Sequence, residues 1–246
     1  MFSDLIKRNV AIVVAGADPA AVAAKRVAQN VPIVFAVGND PVALGLVTSL
    51  GRPGGNATGL TILAPSLEPK RLGLLREILP PNATIGVLLN PMLPLSQKQA
   101  QAVQDAASSI KLAIQLYWAR DEHEITDALN SVAKEGVSAL MVGADPFFDT
   151  HRTLLTTWAN DHKLPTMFQF REYAVAGGLM SYGINLPDVY RQVGVYSGRI
   201  LKGEKPAELP VLQPTKFDFV INQKTAKKLG ITIPSGVLAI ADEVIE

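Results

Sequence analysis

Short apolar runs alternate with helical patterns along most of the chain. Runs such as 10–15 (VAIVVA), 31–37 and 84–89 are rich in β-branched residues and end at turn residues, which is typical of buried strands. Between the runs, apolar residues recur at helical spacing, as in 96–110 and 121–135. Strands that alternate with helices predict mostly parallel sheets with right-handed crossovers. The pattern therefore predicts an α/β protein.

The pattern places each element within narrow bounds. Residues 1–8 read as the last turns of a helix. Strands are expected at 10–15, 31–37, 57–63, 84–89, 112–118, 138–143, 164–168, 178–183 and 217–221. Helices are expected at 20–29, 42–50, 67–79, 96–110, 121–135, 150–161, 172–176, 187–201 and 223–229. The tail after residue 229 carries short apolar pieces that the pattern does not assign.

A polar turn recurs where a predicted strand meets a predicted helix, in AGADP, VGNDP, LLNP and VGADP. An Asp or Asn side chain there accepts the free amide hydrogens of a first helical turn, and a following proline loses no needed donor. We therefore expect helix N-caps at Asp18, Asp40, Asn90 and Asp145. In open parallel sheets ligands bind beyond the carboxyl ends of the strands, so these turns mark a candidate binding edge. The alternative is that each is an ordinary cap with no further role.

The chemistry of these turns suits a small zwitterion. First-turn amides and the helix dipole favour a carboxylate. The carboxylates of Asp18, Asp40, Asp145 and Glu172 would meet an ammonium group wherever capping does not use them. The turns are therefore candidate contacts for both charged ends of an amino acid.

Aromatic residues stand beside the last of these turns. Phe147 and Phe148 are consecutive, so both cannot face the same core, and one is a candidate ligand contact. The alternative is that one fills the core and the other packs on the helix start. Tyr173 and Tyr182 are further aromatic candidates of the same kind.

Composition restricts the classes of function. Among 246 residues the charged fraction is 18% and the net charge is +1, which gives no general attraction for nucleic acid or anionic membrane. The chain has no cysteine, which excludes thiolate catalysis and disulfides. The apolar fraction is 48%, but the apolar runs are too short to span a bilayer, and the first eight residues lack the order of a secretory signal.

Catalytic motifs are missing from the sequence. His123, His151 and His162 have no metal-ligand spacing. The turn RPGGN lacks the Lys-Ser/Thr of a phosphate-binding loop, and neither GxGxxG after a strand nor GxSxG occurs. We therefore expect a binding protein rather than an enzyme, with no cofactor and no metal.

Several segments in order resemble one family. The chain is similar to the ABC-transporter substrate-binding proteins that include the tryptophan-binding component. The resemblance covers nearly the whole chain and rests on VPIVFAVGNDPVALGLVTSLGRPGGNATGL, KRLGLLREILP, LMVGADPFF, REYAVAGGLMSYG, ILKGEKPAELPVLQPTKFDFVIN, KTAKKLGITIP and ADEVIE.

The resemblance implies a type I periplasmic binding protein fold, with two doubly wound parallel-sheet lobes joined by three crossing strands and a ligand held in the cleft. The crossings would lie near 56–60, 180–184 and 214–219. The first lobe would comprise 1–58 with 185–213, and the second 61–180 with 216–246. The family normally has an export segment and a strand-helix-strand before the position of Met1, so the first lobe is expected to be incomplete, with an exposed sheet edge open to homodimer formation.

The resemblance also implies the site. The first-lobe contacts would be Gly16, Ala17, Asp18, Gly38, Asn39 and Asp40; the second-lobe contacts Asn90, Asp145, Phe147, Phe148, Glu172 and Tyr182; and the hinge residues Gly54, Gly55, Asn56 and Gly183.

The implied function is the solute-binding component of an ABC importer, which captures an amino acid or aromatic carboxylate by hinge closure. Its partners would be that ligand and an ABC permease, with no nucleic acid. Its location would be periplasmic or lipid-anchored outside the cytoplasmic membrane, although this chain carries no export signal. The alternatives are a cytoplasmic ligand-sensing domain of the same fold and a doubly wound α/β enzyme.

Overall fold

The computed structural model of the chain describes residues 2–62 and 64–246. The predicted helix at 1–8 and the predicted strand at 57–63 each include one position, Met1 and Leu63, outside the described residues. The chain divides into two compact units, Met1–Leu63 with Asn185–Lys216 and Ala64–Ile184 with Phe217–Glu246. The predicted lobe boundaries lie within a few residues of these divisions.

The elements follow one another in α/β alternation. The strands are β1 (Val13–Ala15), β2 (Ile33–Val37), β3 (Ala57–Thr61), β4 (Thr84–Leu89), β5 (Ala113–Trp118), β6 (Ala139–Val142), β7 (Thr166–Phe168), β8 (Met180–Ile184), β9 (Phe217–Asn222) and β10 (Glu243–Ile245). The α-helices are α1 (Phe2–Lys7), α2 (Asp18–Val27), α3 (Glu68–Arg76), α4 (Ser96–Ser109), α5 (Glu122–Glu135), α6 (Pro146–Thr150), α7 (Arg152–Asp161), α8 (Arg171–Val175), α9 (Leu186–Leu201), α10 (Gln223–Leu229) and α11 (Ser235–Ala239).

The first unit is built on a parallel sheet. Within its described residues the strand order is β1-β2-β3, and all pairings are parallel. Ile33 and Phe35 belong to the same buried apolar cluster as Ala21 and Ala24 of α2, and α9 contacts β2 and β3. β1 forms one edge of this sheet, and its central residue, Val14, is 51% exposed.

The second unit holds a wider sheet. Its described strands run in the order β10-β9-β8-β7-β6-β4-β5, and they are parallel except for the β8–β9 pair. Apolar residues of β4, β6 and β9 pack against α3 and α4 to form the core. The carboxyl ends of β4, β6 and β7 therefore lie along one edge, which carries the loops that lead into α4, α6 and α8.

The predicted helix at 42–50 is wrong. Asp40 begins a single turn, in which the Leu44 amide donates to the Asp40 carbonyl at 2.9 Å. Gly45 then adopts φ +71°, and the Leu46 amide reaches back to the Pro41 carbonyl at 2.9 Å. A residue in the left-handed region ends a helix in this way, so the segment continues as turns.

Gly183 in β8 gives a test of the strand packing. A Cβ atom added to Gly183 would overlap the carbonyl oxygen of Gln169. We expect Gly183→Ala to lower the free energy of unfolding by about 1–3 kcal/mol, because the backbone must move to relieve the overlap. Denaturant unfolding measures the change.

The matched control is Gly194→Ala in α9. A Cβ atom there meets open space, so this change should raise the free energy of unfolding by about 0.5–1 kcal/mol through helix propensity. Equal stability of the two variants would contradict the close approach at Gly183.

Candidate functional site

Asp18 holds together the two loops at the carboxyl ends of β1 and β2. Its carboxylate is buried and accepts hydrogen bonds from the Gly38 amide at 2.7 Å and from the Asn39 side chain at 2.6 Å. The Asn39 carbonyl in turn accepts a hydrogen bond from the Thr61 hydroxyl at 2.9 Å. The predicted first-unit contacts at residues 16–18 and 38–39 are therefore brought together by one buried carboxylate.

The prediction that Asp18 is an N-cap is wrong. It is the first residue of α2, whose N-cap is Ala17 in extended conformation without a side-chain cap. Gly38 and Asn39 both bind its oxygens, so this carboxylate holds the two loops in position. Asp40 is exposed, and its side chain accepts the Val42 amide at 2.9 Å in a local turn.

Tyr190 is a first-unit residue that the sequence analysis missed. It lies on α9 with 55% of its surface exposed. Its hydroxyl oxygen is 3.5 Å from the position that a Cβ atom on Gly16 would take. The phenol therefore lies beside the β1 loop and adds an aromatic group with a polar tip to this edge.

The second unit carries two of the predicted turns. The side chain of Asn90 accepts the Met92 amide at 2.9 Å, but α4 begins only after Leu95, at φ +66°, so Asn90 is a turn residue rather than the predicted N-cap. Asp145 is an N-cap as predicted, because its side chain accepts the Phe147 amide at 2.6 Å. Both side chains are buried at the carboxyl edge of the sheet.

The two consecutive phenylalanines have different environments. Phe148 is fully buried in the core. Phe147 is partly exposed, and its ring lies 4.4 Å from the His151 ring, centroid to centroid. Of the two predicted aromatic contacts, Phe147 has the accessible ring.

A buried ion pair lies behind the Asp145 turn. Glu68 and Arg71 are 0% and 1% exposed, and their charged groups are 3.5 Å apart. Glu68 also accepts hydrogen bonds from the Gln99 side chain at 2.9 Å and from the Ala144 amide at 3.3 Å. Arg71 donates to the Tyr182 carbonyl at 2.8 Å. Burial lowers the pKa of Arg71, and the Glu68 carboxylate opposes that shift.

Asp149 joins the loops after β6 and β7. One of its oxygens accepts hydrogen bonds from the Gln169 side chain at 2.7 Å and from the Tyr173 hydroxyl at 3.0 Å. Burial raises the pKa of Asp149 to about 6, with the hydrogen bonds from Gln169 and Tyr173 opposing the shift. Burial likewise raises the pKa of Tyr173.

Tyr182 and Glu172 are the remaining predicted second-unit contacts. Tyr182 stacks on Phe217 with 6.1 Å between ring centroids and packs against the core. Glu172 is partly exposed on α8. The neighbouring Arg171 forms a double hydrogen bond to Glu243, with both distances 2.6 Å. These side chains support α8 and the outer strands of the sheet.

The predicted hinge residues have local partners. Gly54, Gly55 and Asn56 precede β3 inside the first unit, and the Asn56 side chain binds Lys25 at 2.8 Å as well as the carbonyls of Ala28 and Val31. Gly183 lies in β8, close to the Gln169 backbone. Their role as a hinge stays a prediction.

The sequence of helix α3 contains a pattern that indicates the buried pair Glu68–Arg71. Glu68 precedes Leu72 by four residues, and Arg71 precedes Leu75 by four, so the two charged residues continue the apolar stripe of the helix. Charged residues on a core-facing stripe indicate a buried pair. Asp149, Gln169 and Tyr190 carried no such pattern.

Residues 2–62 and 64–246 lack two features. They contain no gathering of three or more His, Asp or Glu side chains of the kind that holds a metal ion. They also contain no helix with the length and apolar character that a bilayer crossing requires.

Comparison with known proteins decides the family. Residues 1–245 match the family model described as ABC transporter substrate binding protein. The chain belongs to this family. The family and the relatives below are substrate-binding proteins rather than enzymes.

The chain is similar in sequence to two of the following proteins and in fold alone to the third. A tyrosine-binding protein of Clostridioides difficile (strain R20291) is 26% identical over 220 residues, which are 89% of this chain and 63% of that protein. The ABC domain in complex with L-Trp from Streptococcus pneumonia is 29% identical, with a TM-score of 0.90 over 100% of this chain and 82% of that chain. A periplasmic binding protein/LacI transcriptional regulator from Alkaliphilus metalliredigens is 9% identical, with a TM-score of 0.55 over 87% and 77%, and shows the fold alone.

These similarities confirm the predicted fold class, the type I periplasmic binding protein fold. The chain spans 63% of the length of the tyrosine-binding protein that it matches.

The raised pKa of Asp149 gives a pH-dependence test. Because its pKa rises from 3.8 to about 6 on folding, the folded chain holds the proton more tightly, and this contribution to stability is complete below pH 3.8 and lost as the pH rises through 6. Asp149→Asn keeps an acceptor for Gln169 and Tyr173 without the charge. We expect the variant to gain about 1–3 kcal/mol of unfolding free energy over the wild type between pH 5 and pH 7.

Urea unfolding at both pH values measures this difference. The other groups that act on Asp149 are Asp145, Arg152 and Tyr173, and they are the same in both proteins. A gap between variant and wild type that does not change with pH would contradict the assignment.

Proposed function

We propose that this chain is the solute-binding component of an ABC importer and that its ligand is an aromatic amino acid. The observation that carries the proposal is the match over residues 1–245 to a substrate-binding family, with relatives whose names state L-Trp and tyrosine as ligands. The accessible ring of Phe147 at the carboxyl edge of the second unit supports the aromatic preference.

The chemistry of the two units suits the two ends of such a ligand. In the first unit, helix α2 begins at the carboxyl edge of the sheet, and the dipole at a helix N-terminus favours a carboxylate. In the second unit, Asp145 and Asp149 place acidic groups near Phe147, and acidic groups favour an ammonium. We assign the ligand's carboxylate to the first edge and its ammonium and side chain to the second.

Hinge closure follows from this assignment. If both edges contact one ligand, those contacts exist together only in a closed form, and ligand binding shifts the population toward it. We propose the hinge at the three places where the chain passes between units, near residues 63, 184 and 216, instead of at Gly54–Asn56. The binding protein would act outside the cytoplasmic membrane, and its closed form would be what the ABC permease in that membrane recognises.

A ligand screen tests the function. We expect L-Trp, L-Tyr or L-Phe to raise the melting temperature, since a ligand at 100 times its Kd adds about 2.7 kcal/mol to the stability of the native state. L-Leu, L-Asp and an indole carboxylate without an amino group serve as comparisons. A flat response to every aromatic amino acid, with L-Leu or L-Asp active instead, would refute the aromatic assignment.

Phe147 gives a residue-level test. Phe147→Ala should weaken binding of the aromatic amino acid about tenfold and leave the melting temperature of the free protein nearly unchanged, because the ring is partly exposed. Isothermal calorimetry measures the affinity. The matched control is Trp158→Ala, a partly exposed aromatic residue on α7 that stacks on His162. Equal losses of affinity in both variants would contradict a direct contact by Phe147.

The homodimer stays a prediction within this proposal. An edge strand carries unpaired backbone groups, and β1 is an edge strand with the half-exposed Val14 at its centre. Val14→Lys should keep the chain monomeric if β1 pairs with a second copy. Light scattering measures the molar mass of both proteins at the same concentration. A monomeric wild type would contradict the homodimer.

A further inference from the structure

The buried pair Glu68–Arg71 connects four segments of the second unit. Glu68 lies in the first turn of α3 and accepts hydrogen bonds from Gln99 on α4 and from the backbone amide of Ala144. Arg71 lies one turn later and donates to the carbonyl of Tyr182 in β8. The pair therefore ties the loop after β6 to α3, α4 and β8.

The loop that Glu68 holds is the one that carries the proposed ligand contacts. Ala144 directly precedes Asp145, which caps α6 and accepts the Phe147 amide at 2.6 Å. A shift of Ala144 would move this cap and with it the partly exposed Phe147 ring. The position of Phe147 thus depends on a carboxylate that lies 76 residues before Ala144 in the chain.

Stability alone does not account for this pair. Removing two charges from water costs several kcal/mol per ion, and well-packed apolar residues of similar size are often as stabilising or more so. In addition, the second oxygen of the buried Glu68 carboxylate makes no hydrogen bond with any of the described residues. An acceptor left unsatisfied in the interior costs further stability.

We propose that Glu68 and Arg71 are positioning residues for ligand binding, which hold the Ala144–Phe147 loop against β8 in the geometry that an aromatic amino acid requires. This inference rests on the proposed function for its ligand. Neither residue needs to touch the ligand. Their contribution is directional, because hydrogen bonds to Ala144 and Tyr182 define where the loop lies, whereas apolar contacts tolerate small displacements.

The test replaces both charges at once with Glu68→Met/Arg71→Met. Removing both partners avoids a single buried charge, so we expect the variant to fold, with a lower melting temperature because Gln99, Ala144 and Tyr182 each lose a hydrogen bond. We expect the Kd for L-Trp or L-Tyr to rise at least tenfold. Hydrogen exchange of the free protein should become faster in the peptide that contains 144–147. The matched control, Arg120→Met/Glu124→Met, removes a partly exposed ion pair at the start of α5 and should change neither the Kd nor the exchange of 144–147.

A second variant covers the case in which the double variant does not fold. Arg71→Lys keeps the positive charge but not the guanidinium geometry that reaches both Glu68 and the Tyr182 carbonyl. It should raise the Kd and the exchange of 144–147 in the same direction and to a smaller extent.

The outcomes separate this inference from the proposed function. An unchanged Kd together with unchanged exchange at 144–147 would show that the pair is only part of the core and would overturn the inference. If the wild type binds no aromatic amino acid, the proposed function fails. In that case exchange of the free protein still decides the matter, because unchanged exchange overturns the positioning role and faster exchange confined to 144–147 supports it.

Discussion

A carboxylate that leaves water needs hydrogen-bond donors, and this requirement shapes the carboxyl edges of both sheets. In the first unit Asp18 takes its donors from Gly38 and Asn39 in the next loop. In the second unit Glu68 takes them from Gln99 and Ala144. In both cases the donors come from segments distant in sequence, so a local charge determines the relative position of non-local loops.

The candidate binding edge of each unit depends on this arrangement. Backbone groups at strand ends have no sheet partners beyond the last pair and would otherwise be free to move with their loops. A buried acceptor that takes an amide from such a loop restricts it to one geometry. If a ligand binds at Gly38–Asn39 and Asp145–Phe147, as proposed, these loops need little ordering on binding, and less ordering means a smaller entropic cost.

The fold was largely predictable from the sequence, and the candidate site only in part. β4 and α10 have the predicted bounds because periodicity and flanking turns agree there. The prediction of a helix at 42–50 is wrong because Gly45 adopts a left-handed conformation, which an Asp-Pro start does not reveal. The motif Asp-Pro or Asn-Pro located the strand ends correctly, but it did not indicate the partners of the side chains. Asp18 and Asp145 occupy matching motifs, yet one crosses to the next loop and the other caps its own helix.

The difference between Asp18 and Asp145 depends on tertiary packing. An aspartate at a strand end has several donors within reach, and the nearest in sequence belong to its own helix. Asp18 instead meets Gly38 because β1 and β2 are parallel neighbours whose ends lie side by side. The same reasoning explains why Glu68 was missed: its partner Ala144 follows β6, and only the assembled sheet brings that strand end to the start of α3. Local pattern locates such polar residues, whereas strand order selects the donor each one binds.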